Sequence, residues 1–145
     1  MVIVFLGKTG VHHAMVAAHL FLRDIPRDEI NRIDNWADLS AENAGMPLFI
    51  GHDHQGNSIY SLGSGNDPAI ARKTLEDLAE LLGRSDELVV KTIRIRGDYI
   101  LSLISSARPF PGRGVVNRLI SNLLIKIAFS SIKDDIIRFK KKIYQ

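Results

Sequence analysis

The chain opens with an apolar strand that runs directly into a glycine loop, and this feature constrains the fold more than any other. Residues 2–6, VIVFL, form a continuous β-branched and aromatic run that ends at Gly7, which is typical of a strand buried on both faces. From His12 to Leu22 apolar residues recur at helical spacing among small alanines. Residues 2–22 therefore predict a strand, a loop and a helix, the opening unit of an α/β fold.

A hairpin signal follows after Pro47. Two apolar runs flank the segment His54-Gln55-Gly56-Asn57, where glycine and asparagine tolerate a positive φ. The pattern predicts two antiparallel strands of about five residues each. The polar segment 23–45 before the hairpin carries scattered apolar anchors and is expected to hold one or two short helices, with Asp28 and Asp34 as caps.

The middle of the chain predicts an amphipathic helix. Asn66 or Asp67 is expected to cap this helix, Pro68 lies in its first turn, and Gly83 is expected to stop it. Its predicted apolar stripe consists of Ile70, Leu75, Leu78, Ala79 and Leu82.

The C-terminal third contains one ambiguous run. Residues 88–95 predict a strand by their β-branched content, and an apolar helix is expected near 98–106. Residues 115–129 fit either one helix or a helix followed by a strand at LLIKIAF, and we favour the second interpretation. Ser131 with Asp134 three residues later resembles a capping box, which predicts a last, basic helix.

Strands that alternate with helices, together with one hairpin, predict an α/β fold. We expect a single domain over residues 1–145, with three layers: a mixed, mostly parallel sheet with helices on both faces. A chain of 145 residues with 46% hydrophobic and 24% charged residues has the size and composition of one ordinary globular domain.

Composition excludes several classes of protein. The absence of cysteine excludes disulfides, thiolate catalysis and Cys-based metal sites. No basic region or cleavage signal accompanies the apolar N-terminus, and the apolar runs are broken by charge short of the roughly 20 residues that span a bilayer. We therefore expect a cytoplasmic protein without a membrane partner.

Charge is distributed unevenly along the chain. Residues 1–83 carry 6 Lys or Arg against 11 Asp or Glu, whereas residues 84–145 carry 13 against 5. The basic C-terminal half is expected to attract a small anion, a nucleic acid, an acidic protein, or the acidic half of another copy in a homo-oligomer, unless these charges are simply solvated.

The loop after the first strand contains Gly7-Lys8-Thr9, but it is not a Walker motif. That motif needs its first glycine at position 2, where this chain has Val2 inside the strand. A dinucleotide-binding G-x-G-x-x-G pattern is missing as well. Gly7 and Gly10 therefore indicate either a tight turn or a different kind of anion site.

The anion site is the more specific of these two hypotheses. The first turn of the helix leaves backbone N–H groups free, and these favour a negative charge. The expected ligand-binding residues are Lys8, Thr9, Gly10, His12 and His13. If the strand at 88–95 lies parallel to the first, Arg94 and Arg96 reach the same edge of the sheet, and Arg108 and Arg113 are further candidates.

The histidines do not form a recognisable metal motif. His52 and His54 are two residues apart, but His54 is expected in the hairpin turn, and no H-E-x-x-H spacing occurs. His19 is expected to pack on the apolar face of the first helix. His12 at a helix start would be a neutral imidazole and therefore an available base. We predict no metal, no catalytic triad and no particular cofactor.

Two motifs resemble those of a small bacterial family known as domain of unknown function 3189. Its pattern is a strand followed by G-G-x-H-S-S, with a later G-x-D-x-x-G-N-x-V-Y-x-L-G hairpin. The chain departs from it at His13 and Ala14, where the family has serines. The resemblance implies an architecture and a candidate site, but no reaction. The matching positions are Gly10, His12, Gly51, Asp53, Gly56, Asn57, Tyr60, Leu62 and Gly63.

The leading functional hypothesis is a binding domain for a small anion or a nucleotide-type ligand, with its site at the loop 7–13. The alternative is a non-enzymatic module whose basic C-terminal half contacts nucleic acid or an acidic protein. Nothing in the sequence decides whether the protein is an enzyme.

Overall fold

Four strands form one mixed sheet in the computed structural model, which describes residues 1–43 and 46–145. The strands are β1 (Val2–Gly7), β2 (Leu48–His52), β3 (Ser58–Gly63) and β4 (Leu88–Thr92). Their order is β2-β3-β1-β4, with β1 parallel to both β3 and β4, and β2 antiparallel to β3. The mixed, mostly parallel sheet is therefore confirmed, and β1 is an interior strand.

Helices cover both faces of this sheet, as the α/β fold class requires. They are α1 (His13–Leu22), α2 (Leu39–Asn43), α3 (Pro68–Leu81), α4 (Asp98–Ser106) and α5 (Arg113–Ile143). Two 3₁₀ helices, Arg27–Arg32 and Ser85–Glu87, complete the fold. The apolar side chains of α1 and α5 share one core cluster, whereas α3 packs against the opposite face of the sheet.

The alternation of side chains along β1 fills both layers. Ile3 and Phe5 point into the core shared with α1 and α5. Val4 and Leu6 point to the other face, where they pack with Val90 of β4. Because all four side chains are buried, β1 is covered on both faces, as its continuous apolar run predicts.

The predicted hairpin is confirmed. The carboxylate of Asp53 accepts hydrogen bonds from the backbone N–H groups of Gln55 and Asn57, each at 2.9 Å, and from the Asn57 side-chain amide. This closes the turn between β2 and β3 with local hydrogen bonds. The Tyr144 hydroxyl also donates to Asp53 at 2.6 Å, which joins the hairpin turn to the end of α5.

The strand predicted at LLIKIAF is wrong, because residues 113–143 form one continuous helix. Strand propensity is overridden by packing: the buried positions of α5 recur every three or four residues and face α1 and the 3₁₀ helix Arg27–Arg32. Ser131 and Asp134 consequently lie inside α5, and the predicted cap is wrong as well. The positions that carry this period are Asn117, Ser121, Ile125, Phe129, Ile132 and Ile136.

Two details of the shorter helices also differ from prediction. In α3 the side chains turned toward the sheet are Ala71, Leu75 and Ala79, whereas Ile70, Leu78 and Leu82 of the predicted stripe are exposed. The small alanines let α3 lie close to the sheet, with Leu75 between them as the large side chain on the inner face.

The predicted caps at Asp28 and Asp34 are wrong. The 3₁₀ helix Arg27–Arg32 begins without a side-chain cap, and it is Asp38 that accepts a hydrogen bond from the Ser40 N–H at the start of α2. Residues 44 and 45, the last two of the segment predicted to hold short helices, lie outside the described residues.

Asp67 is the cap of α3, since its carboxylate accepts hydrogen bonds from the N–H groups of Ala69 and Ile70 at 3.1 and 3.0 Å. Asp67→Ala is expected to lower the free energy of unfolding by about 1 kcal/mol, because these N–H groups lose their partner. The neighbouring Asn66→Ala is the matched control and should change stability much less. Urea denaturation of both variants measures the difference, and equal losses would contradict the capping role of Asp67.

Candidate functional site

The candidate site lies at the carboxyl edge of the sheet, where β1 and β3 end side by side. After Gly7 the chain passes to α1 on one face, and after Gly63 it passes to α3 on the other. Ligands of open α/β sheets bind at such a point, because the two departing loops leave a crevice between them. The predicted residues Lys8, Thr9 and Gly10 are in the first of these loops.

The two loops touch through backbone at two glycines. A Cβ added to Gly10 would lie 2.8 Å from the Gly63 nitrogen, and one added to Gly63 would lie 2.7 Å from the Gly10 nitrogen. The buried Ser61 hydroxyl donates to the Gly10 carbonyl at 2.5 Å, and the Gly65 N–H donates to the Lys8 carbonyl at 2.9 Å. The loop after β1 is therefore held against the end of β3.

The carboxylate of Glu42 occupies the N–H groups of this loop. Its Oε2 atom accepts hydrogen bonds from the Gly10 N–H at 2.6 Å and the Val11 N–H at 3.1 Å. Burial raises the pKa of Glu42, and the two N–H groups act against that rise. The N–H groups expected to bind an external anion thus hold an internal one. No spacing in the sequence pointed to Glu42.

His12 is the centre of a buried hydrogen-bond chain. Its Nε2 atom lies 3.0 Å from Oδ1 of Asn117, and its Nδ1 atom lies 2.7 Å from the Thr9 hydroxyl. The Asn117 amide donates its own N–H to the Ala37 carbonyl at 2.9 Å, so its oxygen faces His12. This pattern assigns the proton to Nε2 of His12, with Nδ1 accepting from Thr9.

Burial lowers the pKa of His12 to about 4, although the hydrogen bond with Asn117 opposes the shift. The imidazole is therefore neutral at pH 7, as the sequence predicted. Both ring nitrogens are already engaged inside the protein, so His12 and Thr9 position the loop in this structure. The sequence did not single out Asn117, which lies in the segment with the ambiguous helix or strand pattern.

Two residues near His12 have a left-handed backbone conformation. Asn35 and Ala37 have φ values of 61° and 54°, a region that residues other than glycine rarely adopt. Ala37 is held there by its N–H, which donates to the Val11 carbonyl at 2.9 Å, and by the Asn117 amide. The Trp36 ring between them packs edge-on against His12.

His13 lies beside the crevice with both ring nitrogens buried and without a hydrogen-bond partner among the described residues. Burial, together with the neighbouring His12, lowers the pKa of His13 to about 3. Its Nδ1 atom lies 3.7 Å from an oxygen of Asp98, too far for a hydrogen bond, and a neutral imidazole forms no ion pair there. Burial also raises the pKa of Asp98, whose other oxygen accepts from the Ile95 N–H.

The structure places the positively charged side chains of the anion-site hypothesis as follows. Lys8 is partly buried, with its ammonium 5.4 Å from the centre of the Tyr99 ring. Arg94 and Arg96 are exposed on the loop after β4, at the same sheet edge as Lys8 because β4 is parallel to β1. The guanidinium of Arg113, a further candidate, donates to the Ile104 and Ser105 carbonyls at the end of α4.

The remaining histidines stand apart from this edge. The His54 ring packs against Tyr144 at the hairpin turn, and His52 lies 3.4 Å from the Ser58 hydroxyl. Within residues 1–43 and 46–145, no three His, Asp or Glu side chains converge as a metal site would require.

A comparison with protein-family models tests the family resemblance that the two sequence motifs indicated. The model of the family described as "Protein of unknown function (DUF3189)" matches residues 2–140. The chain belongs to this family. The matching motif residues Gly10 and Gly63 are the pair in backbone contact, and His12 is the centre of the buried chain. Comparisons with curated proteins and with solved structures give no match.

The contact between Gly10 and Gly63 leaves no room for a side chain at either position. Gly63→Ala is expected to lower the free energy of unfolding by about 1–3 kcal/mol, because the new methyl group meets backbone that cannot move aside. Gly114→Ala is the control, since an added Cβ there meets no atom within 4 Å. Urea denaturation compares the two variants. Equal stability of Gly63→Ala and the wild type would show that the loops are not in contact.

The depressed pKa of His13 predicts a loss of stability in acid. The unfolded chain binds a proton near pH 6.5 and the folded chain only near pH 3, so His13 lowers stability as the pH falls between these values. Relative to the wild type, His13→Asn should therefore remove a dependence of about 1.4 kcal/mol per pH unit between pH 6 and 4. Denaturation at several pH values measures this difference. Parallel curves for the two proteins would contradict a neutral, buried His13.

Proposed function

We propose that the protein binds a small anionic or nucleotide-type ligand at the loop 7–13. The main support is that the carboxylate of Glu42 accepts hydrogen bonds from the Gly10 and Val11 N–H groups. These groups lie where the chain leaves β1 and β3 toward opposite faces of the sheet. A pair of backbone N–H groups near a helix N-terminus favours an oxyanion, and this pair already carries one. In this proposal Glu42 takes the position of the ligand's carboxylate or phosphate oxygen.

Ligand binding then requires exchange of one anion for another. Glu42 belongs to the short helix α2, and its raised pKa reflects the cost of keeping a carboxylate away from water. An incoming phosphate or carboxylate takes over both N–H groups while Glu42 returns to solvent. The observed affinity is reduced by this internal competition, so removal of Glu42 should strengthen binding.

Other groups at the edge supply the remaining contacts. His13 has two buried nitrogens without partners in the described part of the chain, so it can give one hydrogen bond and accept another. Lys8 provides a positive charge on the loop itself, and Arg94 and Arg96 provide exposed guanidinium groups on the loop after β4. Thr9 and His12 serve to hold the loop. The proposal is for binding and includes no catalytic step.

Thermal melting with inorganic phosphate, nucleotides and phosphorylated metabolites tests this proposal. A ligand present at 100 times its dissociation constant is expected to stabilise the protein by about 2.7 kcal/mol. Glu42→Ala should bind the same anion more tightly, because the N–H pair is free. Glu29→Ala, which removes an exposed carboxylate of the 3₁₀ helix Arg27–Arg32, is the matched control and should behave as the wild type.

Two outcomes would contradict the proposal. The first is an anion panel that shifts the melting of neither the wild type nor Glu42→Ala. The second is an equal shift in a Lys8→Ala, His13→Asn double variant, which would place the bound anion elsewhere.

A further inference from the structure

The two edge strands of the sheet differ in regularity. β2 forms one edge and β4 the other, since the strand order is β2-β3-β1-β4. The pairing of β2 shifts register between Phe49 and Gly51, and such an irregularity makes an edge a poor template for another strand. β4 pairs with β1 in unbroken register over all of its residues. The edge of β4 is therefore the regular one, onto which a further strand can be added.

Alternate residues of β4 direct their backbone groups away from β1. The Ile93 N–H donates to the Leu6 carbonyl at 2.8 Å, so Ile93 and, by the alternation of a parallel ladder, Lys91 bond to β1. The N–H and C=O groups of Val90 and Thr92 then point outward, and in the described part of the chain they have no hydrogen-bond partner. A row of such groups is what an extended segment pairs with.

A groove with a volume of about 560 Å³ follows this edge between α3 and α5. It is lined by β4, by Arg72 of α3 and by the C-terminal part of α5. Phe139 and Ile143 supply partly buried apolar surface on the α5 side. Because α3 and α5 lie on opposite faces of the sheet, an extended segment in the groove would have a helix on each side, with its main chain against Val90.

Two cations of the groove are not compensated by a carboxylate. Lys91 and Arg72 are already ion-paired, at 2.8 and 2.7 Å, with carboxylates of α5 and α3. Arg138 and Lys142, one turn apart on α5, are exposed, and neither forms an ion pair with another described residue, including Asp134 one turn before Arg138. The groove therefore combines unpaired strand backbone with two available positive charges.

We propose that β4 accepts an extended, acidic segment of another protein as a fifth strand. The main chain of this segment pairs with Val90 and Thr92, and its carboxylates pair with Arg138 and Lys142. The backbone edge is what selects a peptide, because neither a nucleic acid nor a small anion offers alternating N–H and C=O groups. This inference is independent of the ligand site at the loop 7–13.

A second copy of the chain fits this edge less well. A closed pair of β4 edges has a twofold axis, so the same residues of both copies meet at the interface. Both α5 helices would then lie on the same face of the joined sheet. Arg138 and Lys142 of one copy would meet the same two residues of the other, and like charges opposed across an interface are unfavourable.

Binding of a short, capped peptide of alternating valine and glutamate to the full chain tests the proposal. In fluorescence anisotropy this peptide should bind at least tenfold more tightly than the same peptide with lysine in place of glutamate. Amide hydrogen exchange followed by NMR reports on the strand pairing. Val90 and Thr92 should exchange rapidly in the free protein and slowly in the complex, whereas Lys91 should exchange slowly in both.

Two variants separate the charge from the backbone contribution. Arg138→Gln, Lys142→Gln should bind the acidic peptide at least tenfold less than the wild type. Its matched control, Arg32→Gln, Lys141→Gln, removes two exposed cations outside the groove and should bind as the wild type. Thr92→Pro removes an outward N–H of β4 and should also weaken binding. Circular dichroism verifies the fold of each variant, and the charge variant tests the proposal even if Thr92→Pro does not fold.

Four results would overturn the proposal. The first is slow exchange of Val90 and Thr92 in the free monomer, because the edge would already be closed. The second is equal binding of the acidic and basic peptides. The third is binding of the acidic peptide without protection of Val90 and Thr92, which would reduce the contact to charge alone. The fourth is a dimer in size-exclusion chromatography that Thr92→Pro converts to a monomer, which would make a second copy the occupant.

Discussion

A buried imidazole must find partners for its ring nitrogens, and the partners of His12 join three distant parts of this fold. Thr9 belongs to the loop after β1, Asn117 to α5, and the Asn117 amide in turn holds the Ala37 carbonyl. Removing any one of these groups would leave a buried polar atom without a hydrogen bond, which costs about 1–3 kcal/mol. The chain therefore fixes α5 and the left-handed backbone at Ala37 relative to the end of β1.

The same requirement explains the crevice at the sheet edge. The Gly10 and Val11 N–H groups face away from the strand ladder, and Glu42 supplies the acceptor that burial demands. A buried carboxylate is in turn stable there only because these N–H groups receive it. Each group depends on the other, so the ligand of the proposed function has to replace Glu42 as the acceptor of both N–H groups. Both ring nitrogens of His13 and the hydroxyl of Ser105 are buried without a hydrogen-bond partner among the described residues.

Packing decided the points at which local patterns were ambiguous or misleading. LLIKIAF has the composition of a strand, yet it forms helix because Ile125 and Phe129 fall on the face that α1 covers. In α3 the apolar residues at helical spacing include two faces, and the sheet accepts the one with alanines. The outer face of α5, where Leu119 and Ile127 are exposed, became visible only once its inner face was assigned, because both faces are apolar and the sequence alone gives no way to choose.

The sequence by itself determined the buried strand β1, the hairpin, and the helix α3 with its stop at Gly83, because each depends on near neighbours in the chain or on alternation along one strand. Whether β4 lies parallel to β1, and so whether Arg94 shares an edge with Lys8, was decided by pairing between distant strands. The partners at that edge were decided by tertiary structure. Glu42 reaches Val11 across 31 residues, and Asn117 reaches His12 across 105. No local pattern encodes which distant side chain satisfies a buried N–H group or imidazole, because that choice is made only when helices from different parts of the chain pack on the same strand.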